Sequence, residues 1–290
     1  MWTVICICIL IVIILLGVEC IRELKTFQVT HYQITSKKLD NWKTEKRIVL
    51  LCDLHNKVYG EDNEVLLDAI RKQNPDLILI AGDMLIGKFW SSPQPAIDFV
   101  KQLPEICPVY YGNGNHEQRM KEDPEEYFDA YAKYKKELSR SGVVFLENIK
   151  DIIVLDDVLL AISGLEIPMY YYEKFADHVP KLTVVEKLLG EADQSKYQIV
   201  ISHNPIFLKT LRQWGADLIV SGHLHGGIIR IPGIGGLITP QAKPFPKYSG
   251  EMTKVEGTYY VVSRGLGTHT VNIRLFNKAE VVTLHMNGEN

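Results

Sequence analysis

The chain is short of cysteine, and its few cysteines are poorly placed for cross-linking. Cys6, Cys8 and Cys20 fall in or at the edge of an N-terminal apolar run, and Cys52 and Cys107 in or beside apolar, strand-like runs. No Cys-x-x-Cys pattern occurs, which excludes a disulfide framework and a thiolate zinc site. The thiols read instead as small buried hydrophobes. An excess of one charge is lacking too: 32 Lys and Arg against 35 Asp and Glu leave a net charge of −3 over 290 residues. A nucleic-acid surface usually needs a basic stripe, and nothing here suggests one. No internal repeat or low-complexity tract stands out, and the length suits one large domain or two small ones.

Charged side chains are missing altogether from Met1 to Val18, nearly all Ile, Leu, Val and Cys. As a helix at 1.5 Å per residue the stretch would be about 27 Å long, close to the hydrocarbon thickness of a bilayer. A cleaved signal peptide fits it less well than an uncleaved anchor. No basic residue precedes the run, and Val18-Glu19-Cys20 offers no small-x-small site. Glu19 also spoils a lipoprotein-type junction. We therefore expect a single-pass transmembrane anchor over residues 1–18, a linker with a possible leading strand over 19–46, and one domain over 47–290. Arg22, Lys25, Lys37 and Lys38 follow the run, and the positive-inside rule would put that domain in the cytoplasm.

Beyond the anchor, Phe27 to Thr35 alternates partially and could lead into the domain. Ile48-Val49-Leu50-Leu51 is an uncharged run of the kind that forms a strand buried on both faces. It leads into Asp53 and His55. Strand alternation would aim both the same way, at the carboxyl edge where open α/β sheets place their chemistry. Glu61 to Gln73 predicts an amphipathic helix with Val65, Leu66, Ala69 and Ile70 inward, ended by Asn74-Pro75. A strand over Asp76 to Ala81, a helix over Pro95 to Leu103 and a strand over Val109 to Tyr111 follow, the last running into a loop, Gly112 to Glu117. This alternation implies a mostly parallel sheet. A charged helix is expected over Pro124 to Ser141, and strands near Ile152 to Leu155 and Val158 to Ile162. Tyr170, Tyr171, Tyr172 and Phe175 are either a packed loop or a cap that could meet an apolar substrate. A helix over Val184 to Leu189, a strand over Tyr197 to Ile201, a helix over Ile206 to Trp214 and a strand over Asp217 to Val220 come next. The tail, with runs at Ile228 to Ile231, Thr258 to Val262, Val271 to Arg274 and Glu280 to His285, looks antiparallel, and Lys243 to Lys247 reads as a loop.

Five strand ends thus carry Asp53 and His55, Asp83, Asn115 and His116, His203, and His223 and His225. Each alone has a plain explanation as a turn residue or a surface histidine; five together do not. Carboxylate, carboxamide and imidazole without thiolate suit Mn, Fe or Zn. The set exceeds one tetrahedral ion, so two divalent metal ions about 3.5–4 Å apart are implied, an arrangement that clamps a phosphate and generates hydroxide at neutral pH.

Asp-x-His, Gly-Asp, Gly-Asn-His-Glu, a lone His and Gly-His-x-His, in this order, resemble the calcineurin-like metallophosphoesterase superfamily over roughly Arg47 to His285. The anchor, Phe245-Pro246-Lys247-Tyr248 and Ser263-Arg264-Gly265-Leu266-Gly267 are further similar to the membrane-associated YkuE/YaeI-like branch, which also resembles UDP-2,3-diacylglucosamine hydrolases. The resemblance implies an α/β fold, a four-layer α/β/β/α metallophosphoesterase sandwich. It implies Asp53, His55 and His225 on one metal, Asn115, His203 and His223 on the second, and Asp83 bridging both. His116 would stay off the metals as proton donor or charge stabiliser, with Glu117, where relatives often have Asp, orienting it. YkuE-like relatives are generally placed outside the cytoplasmic membrane, so the resemblance opposes the flanking charges and leans extracytoplasmic.

The expected function is a membrane-anchored metal-dependent hydrolase of a phosphomonoester, phosphodiester or pyrophosphate by metal-bound hydroxide. Its substrate would belong to a lipid or envelope precursor such as UDP-2,3-diacylglucosamine. An inactive membrane scaffold is the first alternative, opposed by the full ligand set. A nuclease is the second, opposed by the balanced charge.

Overall fold

Alternation along each strand divides its side chains between two cores. In β2 (Lys46–Leu51), Ile48 and Leu50 enter the core between two sheets, while Val49 and Leu51 enter the core under the first helical layer. This is the computed structural model of the chain, which describes residues 1–173, 178–239, 244–268 and 271–289. Phe175 and Lys243 lie outside them.

The first sheet contains β1 (Phe27–Thr35), β2, β3 (Leu77–Ala81), β4 (Val109–Gly112), β5 (Val143–Phe145) and β14 (Ala279–Asn287), in the order β1-β14-β2-β3-β4-β5. Strands β2 to β5 are mutually parallel, as the βαβ alternation predicts. The second sheet has the order β12-β13-β9-β8-β7-β6. Its strands are β6 (Lys150–Leu155), β7 (Val158–Gly164), β8 (Tyr197–Ile201), β9 (Leu218–Ser221), β12 (Met252–Val255) and β13 (Thr258–Val262). A short pair, β10 (Arg230–Ile231) and β11 (Gly235–Gly236), stands apart.

Helices α2 (Glu64–Arg71), α3 (Gln94–Val100), α4 (Asn115–Glu122), α5 (Pro124–Tyr127) and α6 (Ala130–Arg140) supply the outer face of the first sheet, with Leu66, Phe99, Tyr134 and Leu138 in its core. Helices α7 (Leu182–Leu189) and α8 (Leu208–Trp214) cover the second sheet with Val185, Leu211 and Trp214. The architecture is therefore the expected α/β/β/α sandwich. Helix α1 (Trp2–Lys25) projects from it and buries only Glu23. It is the one helix among the described residues long and apolar enough to cross a membrane.

Several local expectations change. The inward face of α2 is Leu66, Leu67 and Ile70, because the helical period starts from buried Asn63 and leaves Val65 exposed. The predicted helix over Pro124 to Ser141 breaks at Phe128, whose φ is 52°. The tail is mixed: β13 runs parallel to β9 and β14 parallel to β1, with antiparallel pairs only at β12–β13 and β14–β2 among these strands. Val271 to Arg274 is no strand. The buried Arg274 guanidinium donates to the carbonyls of Arg264, Gly265, Gly267 and Asn277, which folds the segment back as a loop.

Candidate metal centre

Five of the site residues sit where L-residues seldom do. Asp53, His55, Asp83, His223 and His225 have φ of 51°, 49°, 53°, 69° and 48°. Asp53 and His55 therefore converge through a left-handed turn rather than through strand alternation. Such conformations cost free energy and persist only when their surroundings fix them. Here two loops zip together. Asp53 N donates to Gly82 O at 3.0 Å, His55 N to Asp83 O at 3.1 Å and Asn56 N to Met84 O at 3.0 Å. The Asp53 carboxylate accepts His223 N with both oxygens at 3.1 Å. A Cβ at Gly222 would collide with the Asp53 carboxylate, and one at Gly114 with that of Asp83.

The side chains meet in one buried cluster. Ligand atoms lie within 4.8 Å of one another in three sets: Asp53, His55 and His225; Asp83, His203 and His223; and His55, Asp83 and His116. His225 Nε2 is 3.6 Å from Asp53 Oδ1, and His55 Nε2 is 3.9 Å from both Asp53 Oδ1 and Asp83 Oδ2. These are too long for hydrogen bonds, but suit atoms each about 2.1 Å from a common ion. His55 Nε2 and His225 Nε2 face each other at 3.2 Å. Asn115 Oδ1 is buried with no hydrogen-bond partner.

Backbone groups assign the imidazole protons. His203 Nδ1 lies 2.6 Å from Ala81 O and His225 Nδ1 3.1 Å from Gly267 O. A carbonyl can only accept, so both rings carry hydrogen on Nδ1 and turn Nε2, the atom through which such an imidazole ligates a metal, into the site. His116 is the reverse. Gly87 N donates to its Nδ1 at 2.8 Å, so the neutral ring carries its proton on Nε2, 4.0 Å from Asp83 Oδ2. His116 thus belongs to a ligand set by distance and departs from it by tautomer. The donor set fits two divalent cations.

The charges are strongly coupled. Burial pushes the Asp53 carboxyl up to about 6, against the pull of His203. Burial also raises Asp83, but the imidazoles of His203 and His116 outweigh it and hold Asp83 well below the carboxylate range. His203, though buried, is raised to about 10 by Asp83.

Glu117 has a different place from the one expected. Asn115 opens α4 rather than sharing a loop with His116, and Glu117 is the third residue of that helix. Its carboxylate accepts Gly114 N at 3.0 Å, Asp83 N at 2.8 Å, Met84 N at 2.9 Å and the Tyr111 hydroxyl at 2.7 Å. Burial, then the Asp83 charge, pushes it up to about 7, while these donors favour the carboxylate.

The tyrosine cluster divides. Tyr171 packs in the core, Tyr170 faces solvent, and the Tyr172 ring stands edge-on to His223 at 5.1 Å. Gly87, Arg274 and Asn277 were not singled out by sequence. Asn277 Nδ2 donates to His225 O at 2.6 Å and so supports the loop that carries His223 and His225. No motif marks any of the three.

The model of the calcineurin-like phosphoesterase family matches residues 46–227. An uncharacterised metallophosphoesterase of Aquifex aeolicus is 27% identical over 282 residues, covering 95% of this chain and 98% of that protein. The phosphodiesterase YaeI of Escherichia coli is 24% identical over 243 residues, covering 83% of this chain and 82% of that protein. The crystal structure of the phosphopantetheinyl hydrolase PptH of Mycobacterium tuberculosis aligns at a TM-score of 0.48 and 15% identity, over 81% of this chain and 96% of that one.

Proposed function

The chain belongs to the calcineurin-like phosphoesterase family, and from that premise we propose that it is a membrane-anchored, dinuclear metal-dependent phosphoesterase. Asp53, His55 and His225 would hold one divalent ion and Asn115, His203 and His223 the other, with Asp83 shared between them. Mn, Fe and Zn all suit these donors. When bound, the pair supplies Lewis-acid charge for the phosphoryl oxygens and an acidified water as nucleophile.

The observation that carries the catalytic reading is the proton on His116 Nε2, fixed by the Gly87 N–H. That proton faces the Asp83 carboxylate and is placed to donate a hydrogen bond to the leaving oxygen. As the oxygen of a water that has given one proton to solvent bonds to phosphorus, the ester P–O bond breaks, the His116 N–H stabilises the charge growing on the departing oxygen, and solvent protonates that oxygen. Gly87 and Glu117 act as positioning residues, Gly87 on His116 and Glu117 on the Asp83 loop.

Phosphodiesters are the first substrate class to test, since a relative is named a phosphodiesterase. Phosphomonoesters and pyrophosphates, including UDP-2,3-diacylglucosamine, follow. The buried Glu23 at the base of α1 supports a retained anchor over a discarded leader. The similarity to the YkuE-like branch supports an extracytoplasmic domain. The test is a panel of these esters with the full chain in detergent, stripped of metal and reloaded with Mn, Fe or Zn. Hydrolysis restored by reloading is expected; no hydrolysis of any ester with any metal would overturn the reading.

A further inference from the structure

The base of α1 is bonded to the loops that carry the candidate ligands. Leu24 O accepts a hydrogen bond from Lys57 Nζ, and Lys57 lies two residues past His55. Glu23 Oε2 accepts Asn277 N at 2.8 Å, and Asn277 in turn holds the carbonyl of His225. A cleft of about 500 Å³ lies at this base, lined by Ile21, Leu24, Lys25, Lys57, Thr268 and Asn272.

An apolar rim lies beside Asn56, the neighbour of Lys57 in the chain. Asn56 Nδ2 donates to Ser91 Oγ at 3.1 Å and Ser92 O at 3.0 Å, which draws the preceding loop to the same side. That loop presents Phe89 and Trp90 at 75% and 67% exposure, and Phe128 across from them is 80% exposed. The three line a groove of about 750 Å³. The groove adjoins His116: Tyr127 donates to Gly87 O, and Gly87 N to the His116 ring.

Single exposed apolar side chains need no explanation, whereas a patch of them marks an interaction surface. The occupant follows from α1. At 24 residues it is about 36 Å long, and its last turn is bonded to the domain. A helix that crosses a bilayer and ends on this rim lays the rim against the headgroups. Lys25, exposed in that last turn, suits anionic headgroups, whereas Arg22 is paired with Glu19, and Trp and other amphipathic rings favour the interface.

We infer that the rim of the metal centre is a bilayer-contacting surface. Phe89, Trp90 and Phe128 seat in the lipid interface beside the base of α1, and the site takes phosphoesters of amphiphiles held in that bilayer. The inference rests on α1 being an anchor and on the phosphoesterase reading. Its test separates the three.

The full chain is reconstituted in phosphatidylcholine and phosphatidylglycerol vesicles with plain or brominated acyl chains. Tryptophan emission is compared for the parent, Trp2→Phe and Trp90→Phe. Trp42 and Trp214 are buried in the fold and common to all three. The parent-minus-variant difference isolates the Trp2 and Trp90 signals, and bromine is expected to quench both. Quenching of Trp2 without Trp90 overturns the inference and leaves the anchor standing; quenching of neither overturns the anchor and the inference with it.

The same vesicles carrying a long-chain nitrophenyl phosphodiester test the substrate class. Phe89→Glu with Trp90→Glu should lose the parent's preference for that ester over a short-chain ester in solution. An equal preference in variant and parent overturns the substrate class, and no hydrolysis of either ester by the metal-loaded parent overturns the phosphodiesterase reading alone.

Discussion

The Glu117 carboxylate accepts the backbone N–H of Asp83 at 2.8 Å, joining the start of α4 to the loop that holds the Asp83 carboxylate. The same side chain takes Met84 N and Gly114 N, so three backbone donors depend on it. In Glu117→Gln an amide NH2 would face donors. We expect metal retention to fall by roughly 10–100-fold, the usual cost of removing a group that supports a ligand. Dialysis against graded chelator, followed by elemental analysis, measures it; unchanged retention would remove Glu117 from the support of the centre.

Asp83 belongs to two of the three ligand sets, whereas His225 belongs to one. The parent should hold about two ions per chain. Asp83→Ala should hold close to none and lose activity most severely, while His225→Ala should keep one. Metal counts of one or fewer in an active parent preparation would sink the paired site.

His116→Ala should keep both ions and lower kcat by roughly 10²–10³-fold on alkyl esters. The loss should be small for nitrophenyl esters, whose leaving oxygen carries its charge unaided. Equal losses on both classes would place the hydrogen bond on the other phosphoryl oxygens instead, and loss of an ion would make His116 a ligand.

Two truncations of α1 should differ. Removing Met1 to Cys20 leaves Glu23 and Leu24 in place, and the remainder should be soluble, folded and active. Removing residues through Lys25 strips Asn277 N of its acceptor and Lys57 of Leu24 O. A buried donor left unpaired costs about 1–3 kcal/mol, so the longer truncation should melt at a lower temperature. Equal melting temperatures for the two would show that the last turn contributes nothing to the fold.

Much of the centre was legible because its side chains follow apolar runs directly. Val49 to Leu51 before Asp53, and Ile199 to Ile201 before His203, announce buried strands and therefore mark where they end. What could not be read was how the side chains are aimed. The φ of 51° at Asp53 depends on pairing with the Gly82 loop, a partner distant in sequence. The role of Glu117 turns on whether Asn115 begins a helix, and a short glycine-rich stretch reads as loop when no tertiary contact is known. Gly87, Arg274 and Asn277 act through backbone groups, which leave no trace in side-chain pattern. The tail misled for a related reason. Alternation gives a strand's faces but not its direction, so β13 beside β9 could not be told from a hairpin.

The placement of β14 has a consequence for how the protein is made. It lies between β1 and β2, parallel to the first and antiparallel to the second. Both early strands leave the ribosome long before their common neighbour, so each emerges with an unpaired edge that invites wrong partners. Glu23 waits as long for Asn277, which just precedes β14 in the chain. Helix α1 can form early, but the first sheet and the seat of α1 close together, in one step that waits for β14. A nascent chain halted before β14 has an unfinished first sheet, and its folding is timed by the emergence of that one strand.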